Sequence, residues 1–459
     1  MLRFIQRTLL TLAVVGAVGS ASAFSLLGPY AVWETPALSY NIGGVDIGGP
    51  MNLGEGYRWN EKVVTYGFTK AFLDYFGQRG VVEVNKAVAI LNALPPASQM
   101  SPNLTEFPLD ARQINYQANS LGLMDLKTMA LGLLTEEIGI ADSERYVWTL
   151  LNRFVTPAPT TNYIVVMRNF DPVTLNPSPY VNGVLYTYSI EEFGPALVYS
   201  DAVESTVDPL AIGFNTASAI ADSGNPSPSS SGTGVFFTGL TRDDVGALRY
   251  LLKKQNINVE GVIPGTTGSS GGSGSSPWSI PGLGATATNF VGTALRPGVE
   301  KILFKQINFY GGFPGYTNSY TDSYQTNGVL KTQKVQRAET QPDILFDAGV
   351  TPFDATSGEP FSITRSPTSG WANNSAINVP FTTGAEHDGP GVIQPPVYIV
   401  FSTAGPWFLN IFPSFLDQQD VALIFGGWGA FDGTTNAPFL FPNGTSVQAL
   451  EQQILGGGF

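Results

Sequence analysis

Lys62-Val63-Val64-Thr65-Tyr66-Gly67-Phe68 is a run of β-branched and aromatic residues. From Val81 the apolar positions change to helical spacing, with Val81, Val84, Val88 and Leu91 on one face until Pro95-Pro96. The first pattern predicts a strand and the second an amphipathic helix that proline stops. Downstream, Leu126, Met129, Ala130, Leu133 and Leu134 share a second helical face, with Asp125 in N-cap position and Gly139 at the end. Thr241-Arg242-Asp243-Asp244 resembles a capping box, with Asp in place of the usual Glu, and opens a third helix through Val245, Leu248 and Leu252. Residues 163–167 and 184–190 read as strands, so residues 24–262 are expected to form an α+β domain.

Thr266-Thr267-Gly268-Ser269-Ser270-Gly271-Gly272-Ser273-Gly274-Ser275-Ser276 is a Gly/Ser tract that carries nothing to bury and has the composition of a flexible linker. It predicts a linker over 263–287. Beyond it, short apolar runs at 302–309, 343–346, 397–401 and 421–425 are punctuated by Gly, Pro and Asn, a spacing that predicts an all-β antiparallel sandwich over 288–459. A helix-like piece at 446–455 would cap that sheet. No repeat of fixed period is present, which disfavours a solenoid or propeller.

The N-terminus reads as an export signal. Arg3 and Arg7 precede an apolar run from Leu9 to Val18, and Ala21-Ser22-Ala23 supplies small residues for cleavage before Phe24. Residues 1–23 are therefore set apart as a signal peptide, and the mature chain is expected to be secreted or held at the cell surface. No later window has the roughly 20 apolar residues of a transmembrane helix, so no span is expected. Loss of Arg3 and Arg7 takes the formal net charge from −13 to about −15. Without clustered Lys and Arg, nucleic acid is not an expected partner. Only 13% of residues are charged, against about 25% in ordinary soluble domains. Such a surface suits contact with the same chain, with other exported proteins or with glycans.

His387 is the single histidine and there is no cysteine. That removes His/Cys zinc sites, haem and iron-sulfur ligation, and Ser-His-Asp or Cys-His nucleophiles. Carboxylate chemistry, calcium or no chemistry remain, and no cofactor is expected.

Gly132-Leu133-Leu134-Thr135-Glu136-Glu137-Ile138-Gly139-Ile140-Ala141-Asp142 can be laid over HExxHxxGxxH, the zinc motif of the metzincin proteases, with Gly139 on the motif glycine. A strand and helix precede it, and the helix carrying Asp243-Asp244 follows, in matrixin order. Residues 60–255 thus resemble a degenerate matrixin-like (metzincin) domain. The resemblance implies a fold retained without its reaction, because the histidine positions hold Gly132, Glu136 and Asp142 and the general-base position holds Leu133. A carboxylate metal site at Glu136 and Asp142 is the alternative it leaves.

Other acidic clusters are weaker. Glu136-Glu137, Glu191-Glu192 and Glu386-His387-Asp388 offer carboxylates for a glycosidase, which needs two of them about 5–10 Å apart across a sugar. Neighbours in sequence do not establish that separation, and a solvated acidic face is the competing reading. Asp201, Glu204 and Asp208 supply oxygen ligands for calcium without the spacing of an EF-hand loop. Gly43-Gly44, Gly48-Gly49 and Gly311-Gly312 lack the phosphate-loop pattern. The most suggestive binding feature is the stretch with Tyr310, Phe313, Tyr316, Tyr320 and Tyr324, five rings interleaved with Gly, Ser, Thr and Asn. As a loop it would present stiff aromatics to a sugar or a protein; the alternative is rings folded back on the sandwich. The expected function is an exported, non-catalytic structural or binding protein that self-associates. A secreted carboxylate-based glycan hydrolase or altered peptidase relative, and a glycan-binding module, are the other readings.

Overall fold

The computed structural model describes residues 22–28, 30–40, 49–53, 59, 61–155, 161–194, 197–211, 233–263, 265–268, 290–292, 294–308, 315–349, 361–364, 371–372, 392–393, 396–403, 407–410, 422–425 and 427–456. Most of the expected leader and most of the Gly/Ser tract lie outside them.

In chain order the elements that place the candidate sites begin with strand β1 (Phe24–Gly28), strand β2 (Val63–Phe68), helix α1 (Lys70–Ala93) and helix α2 (Leu126–Ile138). Two antiparallel ribbons follow, β3 (Thr149–Val155) with β4 (Thr161–Val166) and β5 (Val184–Phe193) with β6 (Tyr199–Thr206). Then come helix α3 (Arg242–Leu252), strand β7 (Leu303–Gln306) and a long hairpin of β8 (Tyr316–Thr326) and β9 (Val329–Glu339). Strands β10 (Ile344–Gly349), β11 (Phe361–Thr364) and β12 (Val397–Ser402) complete the set. The fold is α+β, with several antiparallel sheets around one mixed sheet.

That mixed sheet runs β7-β2-β10-β12-β11. β7, β2, β10 and β12 are mutually parallel, and β11 closes one edge antiparallel to β12. Val64, Thr65, Tyr66 and Phe68 of β2 are all buried, because a strand inside a parallel sheet is covered on both faces and reads as a continuous apolar run. Helix α1 packs on β10 and on α2. It opens on Thr69, whose side chain accepts from the Phe72 amide, and is interrupted at Gly77, where φ is 60°. The expectation began this helix at Val81; the observed one starts a turn and a half before the glycine, so that Phe72 and Phe76 also enter the core. Helices α2 and α3 match their expected caps: Asp125 accepts from the Thr128 amide, Gly139 ends α2 at φ 107°, and Thr241 and Asp244 form a reciprocal box.

The division at the Gly/Ser tract is where the structure departs from the sequence reading. β2, from the expected first domain, lies between β7 and β10 of the expected second, so one sheet takes strands from both sides. Leu123–Asp125 likewise pairs in parallel with Gly427–Ala430. The aromatic core is shared as well: Phe68 stacks on Phe346 at 5.6 Å between ring centroids, and Phe401 meets Trp428 edge-on at 5.2 Å. The runs at 344–346 and 397–401 lack polar alternation because they are strands of a parallel sheet, not half-solvated strands of an antiparallel sandwich. The first residues of the expected linker are also structured. Ile263 is buried, and Thr266–Gly268 adds as an edge strand to β9 with Thr266 opposite Arg337.

A shared core predicts one unfolding event. Phe346→Ala should lower stability by about 3–5 kcal/mol, the usual cost of truncating a buried phenylalanine. In chemical denaturation, tryptophan fluorescence and far-UV circular dichroism should shift together as a single transition.

Candidate functional site

Gly132, Leu133 and Glu136 all sit on α2, the first two buried, and Gly139 makes the turn after it. Asp142 follows that turn, and its Oδ1 accepts from the Glu144 amide at 2.9 Å. Among the described residues no group of three His, Cys, Asp or Glu side chains is placed to hold a metal ion. The same holds for the calcium candidates. Glu204 accepts from the Trp148 amide at 3.0 Å, and burial pushes its carboxyl well above the ordinary range; burial also raises Asp201. Both are thereby biased toward the neutral form, which is a poor calcium ligand.

The adjacent glutamates do not form acid pairs in a cleft. Glu137 is buried beside the partly exposed Glu136. Glu192 is held by Arg153 at 3.1 Å and by the Tyr163 hydroxyl, and these bonds lower its carboxyl below the usual value. Glu386, His387 and Asp388 lie outside the described residues.

The aromatic stretch is a strand, not a loop, from Tyr316 onward, while Tyr310 and Phe313 lie outside the described residues. Side chains alternate along β8, so Tyr316, Tyr320 and Tyr324 share a face with the buried Asn318 and Asp322. The Lys305 ammonium lies 4.7 Å from the Tyr316 ring centroid and donates to its hydroxyl. The Tyr320 hydroxyl stands 3.3 Å from Thr266 Oγ1. The missed signal was Asn327-Gly328. Both residues have positive φ, 50° and 74°, as a two-residue turn of the hairpin-forming kind requires, and Thr326 faces Val329 across it.

The hairpin brings together two groups that the sequence reading did not single out. At its base, Arg337 is buried among Glu61, Glu339 and Asp343. It donates to Glu61 and, at 2.7 Å, to Asp343 Oδ1, and lies 3.6 Å from Glu339 Oε1. Thr65 Oγ1 of β2 bonds Glu339 Oε2 at 2.6 Å and Asp343 Oδ2 at 2.9 Å. Burial, then the Asp343 charge, pushes the Glu339 carboxyl up to about 7.

The second group surrounds a cavity of about 210 Å³ lined by Lys62, Lys254, Arg296, Glu300, Tyr320 and Asp322, with apolar walls from Val262, Ile263, Val299 and Leu330. Arg296 grips Asp322 with two bonds of 2.9 Å, and Gln333 adds a third at 2.8 Å. Glu300 accepts from the Lys254 amide at 3.0 Å and from the Ser98 hydroxyl.

A separate surface feature lies at the tips of the two ribbons. Arg153, near the end of β3, donates to Glu192 of β5 at 3.1 Å and to the Leu197 carbonyl at 2.8 Å, which sets the tips side by side. Phe154, Val155, Phe193, Leu197, Val198 and Tyr199 cluster around that junction and are exposed, Val155 by 60% and Leu197 by 51%. The Phe193 and Tyr199 rings stack at 5.7 Å.

No family model, curated protein or solved structure matches this chain.

The Arg337 cluster generates two tests. Because the folded Glu339 titrates near 7 instead of the ordinary 4.5, folding binds its proton. Its contribution is complete below about 4.5 and is lost as pH rises through about 7. The thermal midpoint should fall across that window, and Glu339→Gln should flatten the slope. Arg337→Met leaves three buried acids without their cation and should cost about 3–5 kcal/mol. Denaturant titration at pH 7 and pH 5 should show a smaller loss at the lower pH.

Proposed function

We propose that this chain is an exported, non-catalytic structural or binding protein that self-associates through the paired ribbon tips. The observation that carries this reading is the group of exposed aromatic and aliphatic side chains around Arg153. Large apolar side chains gathered on a surface favour association, since each contact returns them from water. Two strand edges adjoin them: among the described residues β4 pairs only with β3, and β6 only with β5. An unpaired edge is a template for another strand. A second copy offers the same edge and the same apolar groups, so two copies can meet about a two-fold axis. The low fraction of charged residues, 13%, leaves few like charges to oppose the contact. The leader-like residues 1–23 support export.

Sedimentation of the mature chain over a range of concentrations tests the association. Dimers or larger species should appear with rising concentration. Leu197→Asp should weaken association at least tenfold, about 1.4 kcal/mol, with an unchanged thermal midpoint. A monomer at every concentration would sink the reading. Export is tested separately by fractionation and N-terminal sequencing of the mature protein, which should begin at Phe24.

A further inference from the structure

The cavity beside the β8-β9 hairpin has the wrong charge for its chain. Three cationic side chains, Lys62, Lys254 and Arg296, face two carboxylates, Glu300 and Asp322, in a protein of formal net charge −13. The charges are also unevenly matched. Arg296 and Asp322 neutralise each other in a close two-bond pair. Glu300 is engaged by Ser98 and by the Lys254 amide, and the Lys254 ammonium stands 3.8 Å from it. Lys62 gives its ammonium to the Thr321 carbonyl and has no carboxylate within ion-pairing distance among the described residues. One positive charge is therefore left over. Burial makes that charge costly: desolvation lowers the Lys62 pKa, and the Lys254 charge lowers it further. An anion in the cavity would relieve both effects.

The rest of the lining limits what the anion can be. Val262, Ile263, Val299 and Leu330 form an apolar wall, which rewards a hydrocarbon body and leaves a highly charged phosphate unsolvated. At about 210 Å³ the space is below the roughly 300–1,000 Å³ of pockets that take drug-sized ligands. Leu330 is 56% exposed and the Lys254 side chain 59% exposed, so both belong to the mouth. The walls are fixed before any ligand arrives. Gln333 ties Asp322 to the Val291 carbonyl, and Gly298 lies so close to the backbone of Lys253 that a Cβ would stand 2.2 Å from its carbonyl oxygen.

We propose that this cavity binds a small monocarboxylate on a short apolar chain, with the carboxylate ion-paired to Lys62 and Lys254 and the chain against Val262, Ile263, Val299 and Leu330. This site shares no residue with the ribbon tips and does not rest on self-association.

Titration calorimetry of the full mature chain with hexanoate tests the proposal, with hexanol and hexylamine as neutral and cationic controls of the same body. Hexanoate should bind saturably at one site, and the controls should show at least tenfold weaker binding. Lys62→Met should weaken hexanoate tenfold or more, while Lys62→Arg, which keeps the cation, should stay within about threefold of the parent. Leu330→Glu, an exposed change at the mouth, should weaken it by repulsion without altering the circular dichroism spectrum, and decides the matter if Lys62→Met does not fold. Absence of saturable hexanoate binding, equal binding of hexanol, or an affinity indifferent to both Lys62→Met and Leu330→Glu would overturn the proposal.

Discussion

Strand β2 has to be removed from water on both faces and both edges, and the rest of the architecture answers that requirement. Its edges are taken by β7 and β10, which arrive from more than two hundred residues downstream. Phe68 joins the Phe72, Phe346 and Phe401 rings. Thr65 is the one polar side chain in the middle of this strand. Its hydroxyl and amide are satisfied by Asp343 and Glu339, and those acids require Arg337 to lie beside them. Burying a strand thus draws in an ion cluster, and the cluster anchors the base of the β8-β9 hairpin to the mixed sheet.

That arrangement separates stability from surface function. An arginine with three acids in a dry interior is held by mutual compensation, so removing any one member leaves the others worse off than if the whole group had been apolar. The hairpin so anchored also supplies one wall of the Lys62 cavity, through Tyr320, Asp322 and Leu330. The ribbon tips are different. They contribute exposed aromatic and aliphatic side chains, together with open strand edges, that do nothing for the folded monomer.

Much of the local structure was legible in the sequence. The caps at Asp125 and Thr241, the stop at Gly139 and the strands at 163–167, 184–190 and 397–401 follow from contacts within a few residues, which periodicity and capping chemistry report directly. Asn327-Gly328 carried an equally local hairpin signal. Attention to the tyrosines concealed it, and a strand was taken for a loop. The candidate sites were far less legible. Lys62 and Arg296 stand 234 positions apart in the chain, and Arg153 meets the β5-β6 tip through a tertiary bond. The matrixin-like spacing at Gly132, Glu136 and Asp142 is a property of the chain that the described residues do not turn into a metal centre.

By itself, the sequence determined the α+β composition, the helix ends, and the exclusion of chemistries that need thiols or several imidazoles, since these depend on residue type and near neighbours. Only the tertiary structure decided that strands on either side of the Gly/Ser tract share one sheet, that Arg337 is buried with three acids, and that Lys62 faces a cavity with an unmatched charge. Strand partners are chosen by total burial and edge satisfaction across the whole molecule. A glycine-rich connection of sufficient length leaves that choice open, because lengthening a loop adds little to the entropy of closing it.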